Sequence, residues 1–405
     1  MGTAAKTVME RCELLGGLSE DPDGIFRPYG SGSMREVNRL VSGWMRSAGL
    51  SVRTDAVGNL IGRYEGEAPE TLVLGSHLDT VRDAGKYDGV LGVMIALSCV
   101  EQLGERRLPF SVEVVAFCDE EGVRFGTTYL GSSAFSGRFD GRLLDFGDEA
   151  GISLREAVRD FGGEPGTLVG AAPRRNLLGY CEVHIEQGPV LEHKNLPVGV
   201  VAGIQGQSRV RVSFTGGAGH AGTVPMQNRR DALCAASEFV LEVERAAKPG
   251  PDVVATVGEL RVLPGASNVI PSSVVLSLDL RHPEDATRKR LRDALEERAR
   301  GISTARGLGL GWEVRQESAA VPMHRGLSGT LRRAVESTGV SPLELPSGAG
   351  HDAAGMAAVA AAAMLFVRCR GGVSHNPAES VEEADVAVAV EVVGEFLRRL
   401  AEERA

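Results

Sequence analysis

The sequence is poor in aromatic residues and in cysteine. Phe, Trp and Tyr together make up 5% of its 405 residues, and six cysteines are scattered along it without a CxxC pair. Isolated cysteines, most of them within apolar stretches, are typical of reduced residues that pack in a core. They disfavour both a disulfide framework and a metal site built from sulfur ligands.

Long apolar runs are also missing. No segment reaches the roughly 20 residues that a membrane-spanning helix needs, and residues 1–15 hold Glu10 and Glu13 where a secretory signal has a continuous apolar core. The chain carries 44 Lys and Arg against 54 Asp and Glu, a net charge of -10, and such a field repels phosphate. We therefore predict a cytoplasmic protein that binds neither nucleic acid nor membrane.

Familiar catalytic signatures are absent as well. The sequence has no GxSxG elbow and no Cys–His arrangement, so acyl-enzyme chemistry lacks its nucleophile. It has no GxxxxGK[ST] loop, which removes the usual cradle for a nucleotide phosphate. The chemistry is therefore expected to depend on carboxylates and imidazoles.

The sequence does contain an alternation of apolar strands and helices. TLVLGSHLD (residues 71–79) and SVEVVAFCD (residues 111–119) each predict a buried strand that ends in polar residues, and residues 89–102 between them predict a helix. Residues 180–186 and 362–369 predict further strands. This pattern indicates an α/β fold whose site lies at the carboxyl ends of the strands.

The pattern changes between residues 209 and 320. Strand, helix, strand, strand, helix and strand follow one another, the order of a ferredoxin-like sandwich, over residues 209–215, 228–247, 253–262, 273–281, 283–300 and 309–315. We therefore predict a main domain formed by residues 1–208 and 321–405, with residues 209–320 as an inserted α+β domain. The alanine-rich run 353–363 is expected to be a tightly packed helix.

Possible metal ligands follow one another along the main domain. They are His77, Asp88, Glu121, His184 and His375, with a second acid, Glu120, directly before Glu121. Jointly they supply two sets of nitrogen and oxygen ligands and a spare carboxylate for proton transfer, which is the inventory of a two-metal hydrolase. Ligands of this kind without sulfur favour Zn²⁺ or Mn²⁺.

Each of these residues also has a purely structural interpretation. Asp88 precedes an apolar helix, and Asp commonly caps a helix N-terminus. Glu120 and Glu121 would be ordinary on an exposed edge, although adjacent carboxylates after an apolar strand repel each other unless a cation lies there. A single histidine is more often hydrogen bonded in a core than bound to a metal. Asp79 is expected to accept the second ring proton of His77 and to fix the nitrogen that faces the metal.

The inserted domain contributes further candidates. His220 lies in the glycine-rich GGAGHAGTVP, Asn268 in GASNVIP and Arg281 in SLDLRHP. A histidine on a permissive loop can donate to a developing oxyanion, and an arginine fork can bind a carboxylate through two hydrogen bonds. The structural alternatives are a tight hairpin around His220 and a surface pairing of Arg281 with Asp279 or Glu284.

The chain resembles the amidase branch of the dinuclear aminoacylase and carboxypeptidase superfamily. The resemblance is carried by the motifs GSHLDTVRDAGKYDGVLG, CDEEGVRFGTTYLGS, EVHIEQGPVLE, GAGHAGTVP, SGAGHDA and CRGGVSHNPAE. That branch includes N-carbamoyl-L-amino acid hydrolases, β-ureidopropionases and allantoate amidohydrolases. It implies a mixed-sheet metallohydrolase domain with an inserted ferredoxin-like lid that also serves in dimerisation.

The resemblance also implies a role for each candidate. One divalent metal ion would be held by His77, Asp88 and His184 and a second by Asp88, Glu121 and His375, with Glu120 as the general base. The oxyanion donor would be His220, and the residues that bind substrate would be Gln187, His220, Asn268, Arg281, Gly350 and His351. In this branch the inserted domain often completes the partner's site, so a homodimer is expected.

The expected substrate is a small ureido carboxylate. The wording DTVRDAGKYDG, EEGVRFGTTYLGS and MLFVRCRGG most resembles the allantoate amidohydrolases, which implies ureidoglycine, ammonia and carbon dioxide as products. The alternative from the same branch is an N-carbamoyl-L-amino acid hydrolase or β-ureidopropionase, which would use the same residues. A function of another class is a metal-binding carrier or scaffold without catalysis, but such a protein has no need of Glu120.

Overall fold

The computed structural model describes residues 2–172, 174–250 and 252–404, which form two compact units. The first unit consists of Met1–Ala202 and Met323–Ala405, and the second of Gly203–Pro322. The second unit thus starts a few residues before position 209 and ends shortly after position 320, the limits predicted from the sequence.

Helices and strands alternate through most of the chain. The helices are α1 (Gly2–Gly16), α2 (Gly32–Ser47), α3 (Val90–Glu101), α4 (Leu130–Phe135), α5 (Leu154–Phe161), α6 (Pro165–Leu168), α7 (Val190–Lys194), α8 (Ala232–Ala247), α9 (Asp285–Ala305), α10 (Arg325–Ser337), α11 (Asp352–Met356) and α12 (Glu383–Glu402). The strands are β1 (Ser51–Thr54), β2 (Leu60–Tyr64), β3 (Thr71–His77), β4 (Ser111–Phe117), β5 (Leu177–Ile185), β6 (Val198–Ile204), β7 (Gly206–Thr215), β8 (Gly219–His220), β9 (Val254–Thr256), β10 (Leu260–Leu263), β11 (Val269–Ile270), β12 (Ser273–His282), β13 (Gly309–Ser318), β14 (Val321–Pro322), β15 (Glu344–Ser347) and β16 (Ala362–Val367).

A mixed sheet forms the centre of the first unit, as expected for an α/β fold. Within this unit the strand order is β1-β2-β4-β3-β5-β16-β6, and β15 also pairs with β6. The central strands β4, β3, β5 and β16 are parallel, whereas β2 and β6 run antiparallel to β4 and β16. Because β3, β4 and β16 are buried along their whole length, most of their residues are apolar.

Helix α3 explains how the site-bearing loops are supported. It contacts the central strands on one side and α1 and α12 on the other, and every residue from Val90 to Val100 is buried. A helix enclosed in this way is apolar on all faces, which accounts for its sequence. The loop before α3 is consequently held against the carboxyl ends of β3 and β5.

The second unit has a five-stranded antiparallel sheet in the described part of the chain. The strand order is β10-β12-β7-β13, and β9 lies next to β10 along the same edge of β12. Helices α8 and α9 pack on it around a core that includes Val212, Phe214, Phe239 and Leu276. This is the order of the expected sandwich, but residues 253–262, predicted as one strand, form two, because Val257–Glu259 leave the ladder and Glu259 bonds to Ser277 instead.

A second expectation about local structure was also wrong. The run 353–363 is not one helix: α11 ends at Met356, and Ala362 begins β16. The strand pairs with β5 and β6 on its two sides, and these ladders outweigh the helical preference of alanine.

The six cysteines are free as expected, and Cys234 is the exposed one. Among the described residues, no helix is long and apolar enough to cross a membrane.

Candidate dinuclear metal centre

The candidate ligands meet at one edge of the first unit's sheet. β3 ends at His77, β4 ends shortly before Glu120, and His184 lies near the end of β5. Because these strands are parallel neighbours, their carboxyl ends lie side by side. Asp88 comes from the loop before α3 and His375 from the loop after β16.

His77, His184 and Asp88 form a first group. Asp88 Oδ1 lies 3.0 Å from His184 Nε2 and 3.4 Å from His77 Nε2. The other ring nitrogen of each histidine faces a backbone carbonyl, Asp79 O at 3.0 Å from His77 and Ile185 O at 2.9 Å from His184. A carbonyl can only accept a hydrogen bond, so each Nδ1 carries a proton, and Nε2 is the ring nitrogen that faces Asp88 and is available to a metal ion.

A second group shares Asp88 with the first. His375 Nε2 lies 3.2 Å from Asp88 Oδ2 and 3.3 Å from Glu121 Oε1. These contacts with Asp88 and Glu121 raise the pKa of His375 to about 10. Helix α3 is capped by Gly89 without a side-chain bond, so Asp88 is not the helix cap that its position in the sequence also allowed.

The donor set fits two divalent cations. The Nε2 atoms of His77 and His184 face each other at 3.5 Å, and two lone pairs directed into one space require a proton or a metal ion between them. Burial opposes protonation of His77, but Asp88 and the charges of Glu120 and Asp79 raise its pKa well above the usual value. A site that attracts protons so strongly releases them when a divalent cation replaces them.

Glu120 lies beside the ligands and is buried. One of its oxygens is within 4.8 Å of ligand atoms of His77 and Glu121. Burial raises the pKa of Glu120 well above the usual value, with His77 opposing the shift and Glu121 reinforcing it. The carboxylate is therefore placed to exchange a proton at the edge of both groups.

We predicted that the side chain of Asp79 orients His77, and this prediction was wrong. The carbonyl of Asp79 accepts the ring proton, whereas its carboxylate is 3.8 Å from the ring. That carboxylate instead accepts the backbone N–H groups of Glu120 and Glu121, each at 3.1 Å. These buried N–H groups lie in the tight turn after β4, where Asp119 has a φ of 55°, and Asp79 satisfies them. Asp79 thus positions the two acids directly and His77 through its backbone.

Predicted substrate residues of the first unit lie close to these groups. Gln187 Nε2 donates to Asp88 Oδ2 at 2.9 Å. His351 is buried, its ring centroid lies 4.4 Å from that of His184, and its Nε2 lies 2.7 Å from Ser347 Oγ. Burial and the neighbouring His184 lower the pKa of His351 well below the usual value, so its ring is neutral.

The candidates of the second unit fall into two places. His220 and Asn268 are neighbours, because β8 pairs with β11 and Ala221 N–H donates to Asn268 O at 3.0 Å. Both are exposed. Arg281 lies on β12, where its guanidinium donates to Asp279 Oδ1 at 2.9 Å and Oδ2 at 3.0 Å. This is one of the two pairings considered for Arg281 from the sequence.

Sequence reasoning overlooked Ser374, Glu379 and Tyr129. Ser374 donates to Asp88 Oδ2 at 2.8 Å, and Glu379 accepts the Asp88 N–H at 3.1 Å. Both lie in SHNPAE beside His375, and an acid so close in sequence to a candidate ligand was the available signal. Tyr129 donates its backbone N–H to Glu120 O at 3.0 Å and had no comparable signal.

Known proteins are similar to this chain in sequence and in architecture. The model of Peptidase family M20/M25/M40 matches residues 73–399. An allantoate deiminase of Arabidopsis thaliana is 41% identical over 96% of this chain and 81% of its own length. An N-carbamoyl-L-amino-acid amidohydrolase of Pseudomonas sp. (strain NS671) is 40% identical over 95% of both chains. The crystal structure of a hydantoinase/carbamoylase family amidase from Burkholderia multivorans superposes with a TM-score of 0.92, at 32% identity and 98% coverage of both chains.

Proposed function

The chain belongs to Peptidase family M20/M25/M40 and is an amidohydrolase of that family, and we propose that its substrate is allantoate. The observation that supports hydrolysis of a ureido substrate is the position of Asp88, whose two oxygens face separate groups of ligands beside Glu120. Two cation sites next to an additional carboxylate suit hydrolysis of a ureido C–N bond.

The two groups would hold two divalent ions, Mn²⁺ or Zn²⁺, one on His77, Asp88 and His184 and one on Asp88, Glu121 and His375. Ions bound there supply Lewis acidity toward the ureido carbonyl and the attacking water. Glu120 removes a proton from that water and returns it to the departing nitrogen. Allantoate then yields ureidoglycine, ammonia and carbon dioxide.

The remaining candidates would hold the substrate. Arg281 and Asn268 bind its carboxylate, His220 donates to the oxyanion, and Gln187, Gly350 and His351 complete the pocket. Asp279 fixes the plane of the Arg281 guanidinium, an arrangement that suits bidentate recognition. By the family resemblance, the protein works as a homodimer in which His220, Asn268 and Arg281 serve the partner's site.

The second candidate substrate is an N-carbamoyl-L-amino acid. Relatives with the two activities in their names are 41% and 40% identical to this chain, so overall identity does not choose between them. The motifs EEGVRFGTTYLGS and MLFVRCRGG favour allantoate. The test is ammonia release with Mn²⁺ from allantoate and from N-carbamoyl-L-amino acids. Turnover of the carbamoyl compounds alone would replace the proposed substrate, and metal binding without any turnover would favour a carrier.

A further inference from the structure

Asp88 is held by residues outside both ligand groups. Its Oδ2 accepts hydrogen bonds from Ser374 Oγ at 2.8 Å and from Gln187 Nε2 at 2.9 Å, and these two donors are themselves 3.1 Å apart. Its backbone N–H donates to Glu379 Oε1 at 3.1 Å, and Tyr87 N–H donates to the same oxygen at 2.8 Å. Glu379 Oε2 lies 3.2 Å from Ser374 Oγ.

Glu379 is enclosed by the loop that it binds. Its side chain is buried, and a Cβ at Gly85 would overlap its carboxylate. The loop from Gly85 to Asp88 therefore wraps around Glu379 with no room for a side chain at position 85. Backbone N–H groups and packing together hold this loop against the loop that carries Ser374 and His375.

These contacts hold the carboxylate plane of Asp88, whose two oxygens must face two different groups of ligands. The terminal torsion of Asp is broad, so the plane of an unsupported carboxylate turns readily. In this protein Oδ1 must face His77 and His184 while Oδ2 faces His375. The donors on Oδ2 set that plane, and the backbone N–H bound to Glu379 fixes the position from which the side chain extends.

We propose that Ser374 and Glu379, which we call the Asp88 brace, are positioning residues that orient Asp88 so that both metal ions bind tightly. The inference rests on the proposed two-metal function. Hydrogen-bond partners of a ligand typically change metal affinity by about 10–100-fold when removed. Ser374 acts on the carboxylate and Glu379 on the backbone of the same residue.

The test is metal binding by the full chain. Wild type, Ser374→Ala, Glu379→Ala and Glu379→Gln are depleted of metal and titrated with Mn²⁺ by calorimetry, and the visible spectrum of the Co²⁺ form is recorded. Ser374→Ala and Glu379→Ala are expected to weaken Mn²⁺ binding about 10–100-fold and to alter the Co²⁺ spectrum. Glu379→Gln is expected to retain most of the affinity, because the amide oxygen still accepts from Tyr87 and Asp88.

The matched control is Glu186→Ala. Glu186 is also buried and also accepts two backbone N–H groups, from Val190 at 2.7 Å and Leu191 at 2.9 Å, but these belong to α7. Its loss is expected to leave Mn²⁺ affinity unchanged. Unchanged affinity in the brace variants, or an equal loss in Glu186→Ala, would overturn the brace alone. A wild type that binds no divalent ion would overturn the proposed function and the brace together.

Discussion

The hydroxyl group of Tyr129 lies over the α-carbon of Gly350, in the space where a side chain at position 350 would begin. Tyr129 is tied to Glu120 through its backbone N–H, and Gly350 directly precedes His351. The phenol ring therefore joins the segment of the proposed base to the segment that contacts His184. Only glycine at position 350 permits this contact.

Replacing Gly350 with alanine is expected to displace the Tyr129 ring. Overpacking of this kind costs about 1–3 kcal/mol of unfolding free energy. We also expect activity to fall while the protein stays folded, because Glu120 shares the displaced segment. Activity and thermal unfolding of Gly350→Ala check this. The control is Gly348→Ala, since a Cβ there meets no atom within 4 Å. Rescue of Gly350→Ala by Tyr129→Ala would support the clash, whereas equal effects at 348 and 350 would contradict it.

Glu120→Gln separates binding from catalysis. The amide retains the shape of the side chain but cannot accept a proton, so we expect a fall in kcat of about 10²–10⁴-fold with metal content unchanged. Metal analysis and ammonia release measure the two quantities on the same sample. Glu186→Gln serves as the control, since Glu186 is buried but belongs to neither metal group. Full activity of Glu120→Gln would remove Glu120 from the mechanism.

Removal of metal is expected to abolish activity and to lower the unfolding temperature of the protein. Without cations, the carboxylates of the site lie close to one another and repel. A bound ion whose free concentration is 100 times its Kd would add about 2.7 kcal/mol to the free energy of unfolding. Dialysis against a chelator followed by addition of Mn²⁺ or Zn²⁺ checks both effects. His375→Ala should reduce the number of bound ions, because His375 belongs to only one group. An active, equally stable metal-free protein would contradict the two-metal assignment.

Glu113, which lies on β4 and belongs to neither metal group, is expected to make a pH-dependent contribution to stability. Burial raises the pKa of Glu113, but the hydrogen bonds and charge of Arg174 outweigh it, so the pKa is lowered overall. A lowered folded-state pKa stabilises the protein above the unfolded value, near 4.5, and this contribution is lost as the pH falls through the folded value.

We therefore expect Glu113→Gln to cost about 2 kcal/mol at pH 7, less than a fully buried pair because Arg174 is partly exposed. The difference from wild type should shrink as the pH falls below the unfolded pKa near 4.5. Chemical unfolding at pH 7 and at a pH below the unfolded pKa measures this difference. The control is Glu403→Gln, because Glu403 forms an exposed salt bridge with Arg333. A difference that is the same at both pH values would contradict the assignment.

The fold and the candidate ligands were largely accessible from the sequence. Buried parallel strands have continuous apolar runs, so the polar residues at their ends stand out, as His77 and Glu120 do. The strand interrupted at Val257–Glu259 and the short helix α11 were not accessible. At residues 353–363 the pairing of β16 with β5 and β6, which are remote in sequence, overrides the helical preference of alanine. At residues 257–259 the chain leaves the ladder, and Glu259 N–H donates to the side chain of Ser277, a contact that the local pattern does not show.

By itself the sequence determined the family, the mixed α/β architecture, and the residues available as ligands and base. The tertiary structure alone decided how they are oriented: which nitrogen of His77 carries its proton, what the Asp79 carboxylate binds, and how Asp88 is held. Ser374 lies 286 positions from Asp88, and Glu379 lies 291 positions from it. Hydrogen bonds act over about 3 Å, so contacts between such distant positions arise only when folding brings two loops together, and no local pattern records them.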